Sequence, residues 1–425
     1  MSMTHRLLHP QPLGIFPLPA GYLVIPAVDG GADLCASLLT GRVPDAMPDP
    51  LRFYAQALAG DADGAWQALE RDPSPEACYN RFVLRSEPSD YARLRSELDG
   101  ELHALLDLVA YTTGMIDRPP EPVGCSGEVA ACILAAHAAH ALETDQREVA
   151  CAMLQQAVAE VRDISPLFAA QLLGDLAEMQ VLDDDADAAI RSLHDALDLI
   201  GLYSLPDVRA HLALRLGMLY QERAEGRRAM LLEASKCYQE ALRFYTRETA
   251  PELYALAQNN LALVYLAMPL TEASDQLRKG IAVQALREAL TIYTRDTHPD
   301  LWRRTQLNLA NALQYLPSAN LRDHLIEAVG LYDDLLATRD LRHDPAGYAR
   351  VLANQGNALA HLGDFARARQ QLSEARRLFA VCQDADAIAG VDEVLEEIAR
   401  QEAGSRKGEA TAPALRRAPA GENGY

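Results

Sequence analysis

The feature that most limits this chain is that one part of it is a copy of another. Tyr245-Thr246-Arg247 returns as Tyr293-Thr294-Arg295, Pro251 as Pro299, Gln258 as Gln306, Asn260 as Asn308 and Pro269 as Pro317, all at an offset of 48 residues. A fixed offset kept at so many positions requires equivalent units in series, and units of this length bury their apolar faces only against one another. An array is therefore expected, and the rest of the chain is placed relative to it.

Composition says what the units are made of. Apolar residues are 49% of the 425 but aromatics only 6%, so the core must be mostly Ala and Leu, which suits close-packed helices better than strands. Alanines seven residues apart share one helix face and let a neighbour approach closely. Such pairs occur at Ala150/Ala157, Ala189/Ala196, Ala234/Ala241, Ala282/Ala289 and Ala368/Ala375, each expected on the second helix of a hairpin. The matching first helices carry a small residue at Ala138, Gly174, Gly217, Ala262, Ala310 and Gly356; only the hairpin at 299–337 lacks the full pair, with Leu321 ahead of Ala328.

The run Asn354-Gln355-Gly356-Asn357-Ala358-Leu359-Ala360-His361-Leu362-Gly363-Asp364-Phe365, continuing to Ala368, Leu372 and Ala375, resembles a tetratricopeptide (TPR) repeat. The spacing of 12 from Gly356 to Ala368 and 7 more to Ala375 is the one that family uses, and Ala138, Ala150 and Ala157 reproduce it. The resemblance covers residues 126–382 and implies an all-α, right-handed superhelical solenoid of antiparallel helix pairs. The middle repeats depart from the compact unit: Gly217 to Ala234 is 17 residues and Ala262 to Ala282 is 20. The extra residues, in Ala224–Met230 and Met268–Gly280, are expected to project as loops or helix extensions.

Four regions follow. Residues 1–48 form a Pro/Gly-rich arm, in which Tyr22–Ile25 predicts a short strand or an extended piece docked on the first helices. Residues 49–120 are an irregular helical cap or degenerate repeats, with helices over Pro50–Ala59, Ala62–Arg71, Glu76–Leu84 and Ser89–Gly114. The array occupies 121–400 and closes with an amphipathic helix, Asp386–Arg400, whose apolar residues are Ile388, Val391, Val394, Leu395 and Ile398. Residues 401–425 lack apolar periodicity and are expected to be a disordered tail.

Charge and motifs narrow the function. A net charge of −21, from 39 basic and 60 acidic residues, opposes a general nucleic-acid or anionic-membrane binder. Seven scattered cysteines without a C-x-x-C pair predict reduced thiols. The apolar stretch 13–28 is broken by Pro17, Pro19 and Pro26, and no run approaches the ~18–20 residues of a membrane helix, so a cytoplasmic protein is expected. No P-loop, G-x-S-x-G, H-E-x-x-H or dinucleotide fingerprint is present, so neither catalytic residues nor a cofactor is predicted. Cys125, Cys132, His137, His140 and Cys151 come nearest to a metal set, but their spacing matches no common zinc pattern and no metal site is expected.

Binding has better candidates. His298-Pro299-Asp300 and Asn259-Asn260-Leu261-Ala262 are similar to the repeats of kinesin light chains. That similarity implies one Asn per first helix facing a concave groove: Asn260, Asn308 and Asn354, with Asn259, Asn311 and Asn357 nearby. A carboxamide offers a donor and an acceptor, so a ladder of them can pair with an extended peptide backbone whatever its side chains. Arg215, Arg304 and Arg350 are predicted to flank the groove and hold acidic side chains or a C-terminal carboxylate. The plainer alternative is that the Asn side chains bond to neighbouring helices. A second surface, the edge made by the long insertions, carries Arg227, Arg228, Arg278, Lys279 and Arg322 as a docking line. The expected function is a non-enzymatic protein- or peptide-binding scaffold or adaptor. A further similarity, of Leu261–Leu290 to stand-alone bacterial TPR proteins that accompany metalloenzymes, implies an assembly role. The alternatives are a sensory protein taking a small molecule or signalling peptide, and an enzyme with its active site in residues 1–120.

Overall fold

The computed structural model describes residues 7–201, 203, 205–269, 273–316, 320–338 and 341–407. Of the expected tail, residues 408–425 lie outside the described residues. Among the described residues there are nineteen α-helices and no strand, and the chain divides into two compact units, Met1–Leu219 and Tyr220–Tyr425. The fold is all-α and of the TPR-like kind, built of consecutive packed helix pairs.

In the first unit, α1 (Gly31–Leu39), α2 (Arg52–Leu58), α3 (Ala62–Leu69), α4 (Pro75–Leu84), α5 (Pro88–Glu97) and α6 (Gly100–Thr112) precede two regular hairpins. These are α7 (Gly127–Glu143) with α8 (Arg147–Val161), and α9 (Pro166–Leu182) with α10 (Ala186–Ile200). The next helix, α11 (Pro206–Glu222), runs across the unit boundary. The second unit holds α12 (Arg228–Ala241), the hairpins α13 (Pro251–Ala267) with α14 (Ala273–Leu290), α15 (Pro299–Gln314) with α16 (Leu321–Thr338), and α17 (Pro345–Leu362) with α18 (Phe365–Cys382), and the closing α19 (Ala385–Lys407).

The alanine pairs explain the pairing. All ten paired alanines, on α8, α10, α12, α14 and α18, have no exposed surface, and neither does Ala328 on α16. With only a methyl group at the contact the helix axes approach closely, and longer side chains fill the flanks. The approach is close at Gly356 of α17, where an added Cβ would lie 2.7 Å from Leu372 Cγ of α18. First helices start with Pro in α9, α11, α13, α15 and α17, where the missing N–H is one no helix would use. The 48-residue copy is also a copy of structure. Thr249 Oγ1 donates to the Phe244 carbonyl (2.9 Å) and Thr297 Oγ1 to that of Ile292 (3.4 Å), so the same hydroxyl-braced turn precedes α13 and α15.

The long insertions become mostly helix. Residues 223–227 form a tight turn, and α14 begins at Ala273 and runs 18 residues, against 15 in α8. The C-terminal helix extends past Arg400 to Lys407, with Val391, Val394 and Ile398 buried against the last hairpin.

Two expectations are corrected. The single helix over Ser89–Gly114 is two helices, because Asp99 is extended (φ −131°, ψ 173°) and Gly100 takes a positive φ of 58°. The chain can then fold α5 back on α6, where Tyr91 Oη (2.9 Å) and Arg95 Nε (3.1 Å) both donate to the largely buried Asp107 carboxylate. The Pro/Gly-rich arm also contains a helix, α1, launched by Gly30 at φ +82°. Within that arm Leu23–Ile25 is extended but forms no strand. Two buried carboxamides take the place of a neighbouring strand. Asn80 accepts from Val24 N–H (2.9 Å) and donates to Val24 O (2.8 Å), while Gln11 accepts from Ile25 N–H (2.8 Å) and donates to Ile25 O (3.0 Å). The three side chains Leu23, Val24 and Ile25 are fully buried, and the backbone N–H and C=O of both Val24 and Ile25 are satisfied. No helix among the described residues is long and apolar enough to cross a membrane.

Candidate functional site

The small residue of each first helix gives a common register. At about 100° per residue, positions six, three and two before it and one after it fall within one sector roughly 100° wide. In the second unit this sector reads Asn259 and Asn260 on α13, Arg304, Asn308 and Asn311 on α15, and Arg350, Asn354 and Asn357 on α17. First helices of successive hairpins touch one another, α13 with α15 and α15 with α17, so these side chains form one strip.

The strip is partly self-satisfied. Asn354 Nδ2 donates to Asn311 Oδ1 (3.0 Å), Tyr332 Oη donates to the same oxygen (2.7 Å), and Asn357 Nδ2 donates to Tyr315 Oη (3.0 Å). Asn259 Nδ2 donates to Asn260 Oδ1 (3.3 Å) and Oδ1 of Asn259 accepts from Thr305 Oγ1 (3.4 Å). Asn311 and Asn357, one residue after the small position, are thus held by tyrosines, and Asn357 is only 2% exposed. Its Oδ1 is buried with no protein partner.

The carboxamides two residues before the small position differ. Asn260, Asn308 and Asn354 are half-buried, and Asn308 has no hydrogen-bond partner among the described residues. Arg304 and Arg350 are exposed, form no ion pair there, and each lies four residues before an Asn of the strip, hence on the same face. Together they present two Arg–Asn rungs from adjacent first helices.

Arg215 belongs to a different setting. In the first unit its Nη2 donates to Gly174 O (3.0 Å) and pairs with Glu178 (3.1 Å). Crowding by surrounding protein and the neighbouring Glu178 raise the Asp175 carboxyl to about 6, although that side chain reaches solvent; Arg215 opposes the shift. Burial first, and then Arg215, lowers the His211 imidazole below its ordinary value.

The corresponding sector in the first unit holds something the sequence did not disclose. Phe168 and Gln171 of α9 occupy the positions six and three before Gly174, and Glu128 of α7, ten before Ala138, falls in the same sector. The chain's own residues 7–15 lie there. Leu7 N–H donates to Glu101 Oε2 (3.1 Å), and His9 bridges Glu128 (Nδ1, 2.8 Å) and Glu101 (Nε2, 3.2 Å). Gln171 Nε2 donates to the Ile15 carbonyl (3.2 Å), and at Gly14 (φ +76°) an added Cβ would strike the Phe168 ring. Hydrogen bonds to both carboxylates outweigh desolvation and hold the His9 imidazole up at about 9. Burial alone would raise Glu101, but the His9 contact and backbone N–H groups bring it below its ordinary value.

The basic edge is dispersed. Arg227 donates to the Arg223 and Ala224 carbonyls, Arg228 to that of Pro269, and Lys279 is only 4% exposed, which removes it from any docking surface. Arg278 is half-buried and Arg322 exposed. The cysteines and histidines of the metal-like set go separate ways: His137 donates to Pro120 O (2.8 Å), His140 packs edge-on against Tyr111, and Cys151 contacts Asp183 (3.6 Å). Among the described residues no group of three or more His, Cys, Asp or Glu could hold a metal ion.

No family model matches the chain, and no curated protein matches it. Solved structures do align with it. The apo form of RapI aligns over 85% of this chain and 99% of its own, at 12% identity and a TM-score of 0.44. A Rap protein complexed with competence and sporulation factor aligns over 84% and 98%, at 14% identity and a TM-score of 0.34. The human IFIT1 dimer with PPP-AAAA aligns over 78% and 72%, at 16% identity and a TM-score of 0.32.

Proposed function

We propose that the protein is a binding scaffold whose second unit recognises an extended peptide segment along the strip of α13, α15 and α17. The observation that carries this is the repetition of an Arg–Asn rung on adjacent first helices, Arg304 with Asn308 and Arg350 with Asn354. Packing the hairpins requires no cation at either position, and neither guanidinium is used within the chain among the described residues. Carboxamides pair with a segment's backbone, and the arginines fix an acidic side chain or terminal carboxylate by charge-assisted bonds. Asn311 and Asn357, locked by Tyr332 and Tyr315, set the spacing of the strip rather than reaching the ligand. An assembly role for a metalloenzyme is compatible with this surface but draws no support from any residue in it.

The test is a peptide library with free C-termini, screened against the wild-type chain, an Arg304→Ala/Arg350→Ala variant and an Asn260→Ala/Asn308→Ala/Asn354→Ala variant. Acidic or carboxylate-terminated peptides should be enriched by the wild type, lose that bias with the arginine variant and lose binding with the Asn variant. Equal binding by all three folded proteins would overturn the assignment.

A further inference from the structure

The segment lying on the first unit is more than a loose tail against a surface. It bends at His9-Pro10 and turns over Leu13–Ile15, it lies along the sector of α7 and α9 that corresponds in register to the strip of the second unit, and it is gripped at four points. Those are the Leu7 amide, the His9 imidazole, the Gly14 backbone against Phe168, and the Ile15 carbonyl. Two of the groups gripping it, Glu101 and Glu128, are 2% and 0% exposed, and Glu128 Oε1 is buried without a protein partner. A buried carboxylate pair is costly unless a cation accompanies it. The seat is therefore chemically defined: it requires a cation and is not simply a dry apolar face.

We propose that the N-terminal ends of α7 and α9, with Glu101 of α6, form a second segment-binding seat. Its resident is Leu7–Ile15, and its ligand class is a peptide segment that carries a cationic side chain reaching the Glu101–Glu128 pair and turns a few residues later, as the resident does at Leu13–Ile15. This rests on the reading that this sector of the first helices binds peptide segments, but it assigns the opposite charge preference to the first unit. Because an emptied seat would leave two buried carboxylates without a cation, the resident leaves by exchange. An incoming segment supplies its cation as His9 withdraws. The glycine at position 14 is the second selective feature, since a side chain there would strike the Phe168 ring.

A labelled synthetic peptide of residues 7–16 tests the assignment on the full chain, with binding read by fluorescence anisotropy. A chain whose own resident is loosened by His9→Ala should bind the peptide at least about tenfold more tightly than the wild type, since apparent affinity scales with the fraction of seats free. A peptide with alanine in place of its histidine should not bind, and Asn308→Ala/Asn354→Ala in the chain should leave binding unchanged. Equal binding to both chains, or binding indifferent to the peptide's histidine, overturns the seat. Binding that needs Asn308 and Asn354 but not the peptide's histidine overturns the seat while leaving the strip of the second unit standing. If His9→Ala prevents folding, the wild type is studied by hydrogen exchange with excess peptide. Faster exchange at residues 7–15 supports displacement, and unchanged protection overturns it by making the segment a fixed part of the core.

Discussion

Residues 7–15 on α7 and α9, and the strip on α13, α15 and α17, lie on corresponding faces of first helices. Both use the same sector of a first helix. In the first unit the sector is filled by the chain itself and anchored by a half-buried histidine between two buried carboxylates. In the second it presents half-buried neutral carboxamides and exposed arginines. The contrast shows that helix packing alone does not dictate what this face carries. The alanine and glycine contacts that build the hairpins are the same in both units, so the inner positions are free to be specialised.

The sharpest way to break the comparison is to unpair the buried charge. Glu128→Ala or His9→Ala should destabilise the first unit by roughly 3–5 kcal/mol, the cost of leaving one partner of a buried pair alone. Hydrogen exchange should accelerate in α6–α9 while α15–α18 keep their protection; a uniform change across both units would refute the separation. Next comes pH. The His9 pKa is raised from 6.5 to about 9, so its contribution is complete below pH 6.5 and is lost as pH rises through 9. At about 1.4 kcal/mol per unit this amounts to roughly 3 kcal/mol, and urea melts of the wild type should show it where those of His9→Gln do not.

Smaller effects sharpen the distinction within the strip. Tyr332→Phe removes the donor that Asn311 Oδ1 and Gln314 Oε1 share and should cost about 1–2 kcal/mol by thermal unfolding. Asn308→Ala should change stability by less than about 0.5 kcal/mol, since no described residue depends on it. An equal loss for both variants would mean that Asn308 is structural too.

The array was legible because its signals are local. Seven-residue alanine spacing and a small residue on each first helix place contacts that any observer of the sequence can count, and α13 to α18 follow them. The break before Gly100 was visible in principle, since Asp-Gly follows Leu98, but the apolar run through Leu102–Val109 masked it. The division of the Asn residues could not be read. Whether a carboxamide meets a tyrosine depends on Tyr332 and Tyr315 arriving from elsewhere in the fold, and Asn308 and Asn311 look alike in a string. Glu101 and Glu128 resemble ordinary acidic residues in a helix's first turn, and only the return of a segment more than ninety residues earlier identifies them as buried partners of His9.

The burial of the two carboxylates beside His9 also separates the two surfaces by their response to ionic strength. Dissolved ions screen charges they can surround, with a reach of about 10 Å at 0.1 M and about 3 Å at 1 M, but penetrate poorly where carboxylates are almost fully buried. The grip on residues 7–15 should therefore persist in concentrated salt. A partner held by Arg304 and Arg350, as proposed, would be released by the same salt, so a salt wash would separate such a partner from the second unit while leaving the first unit's own segment in place.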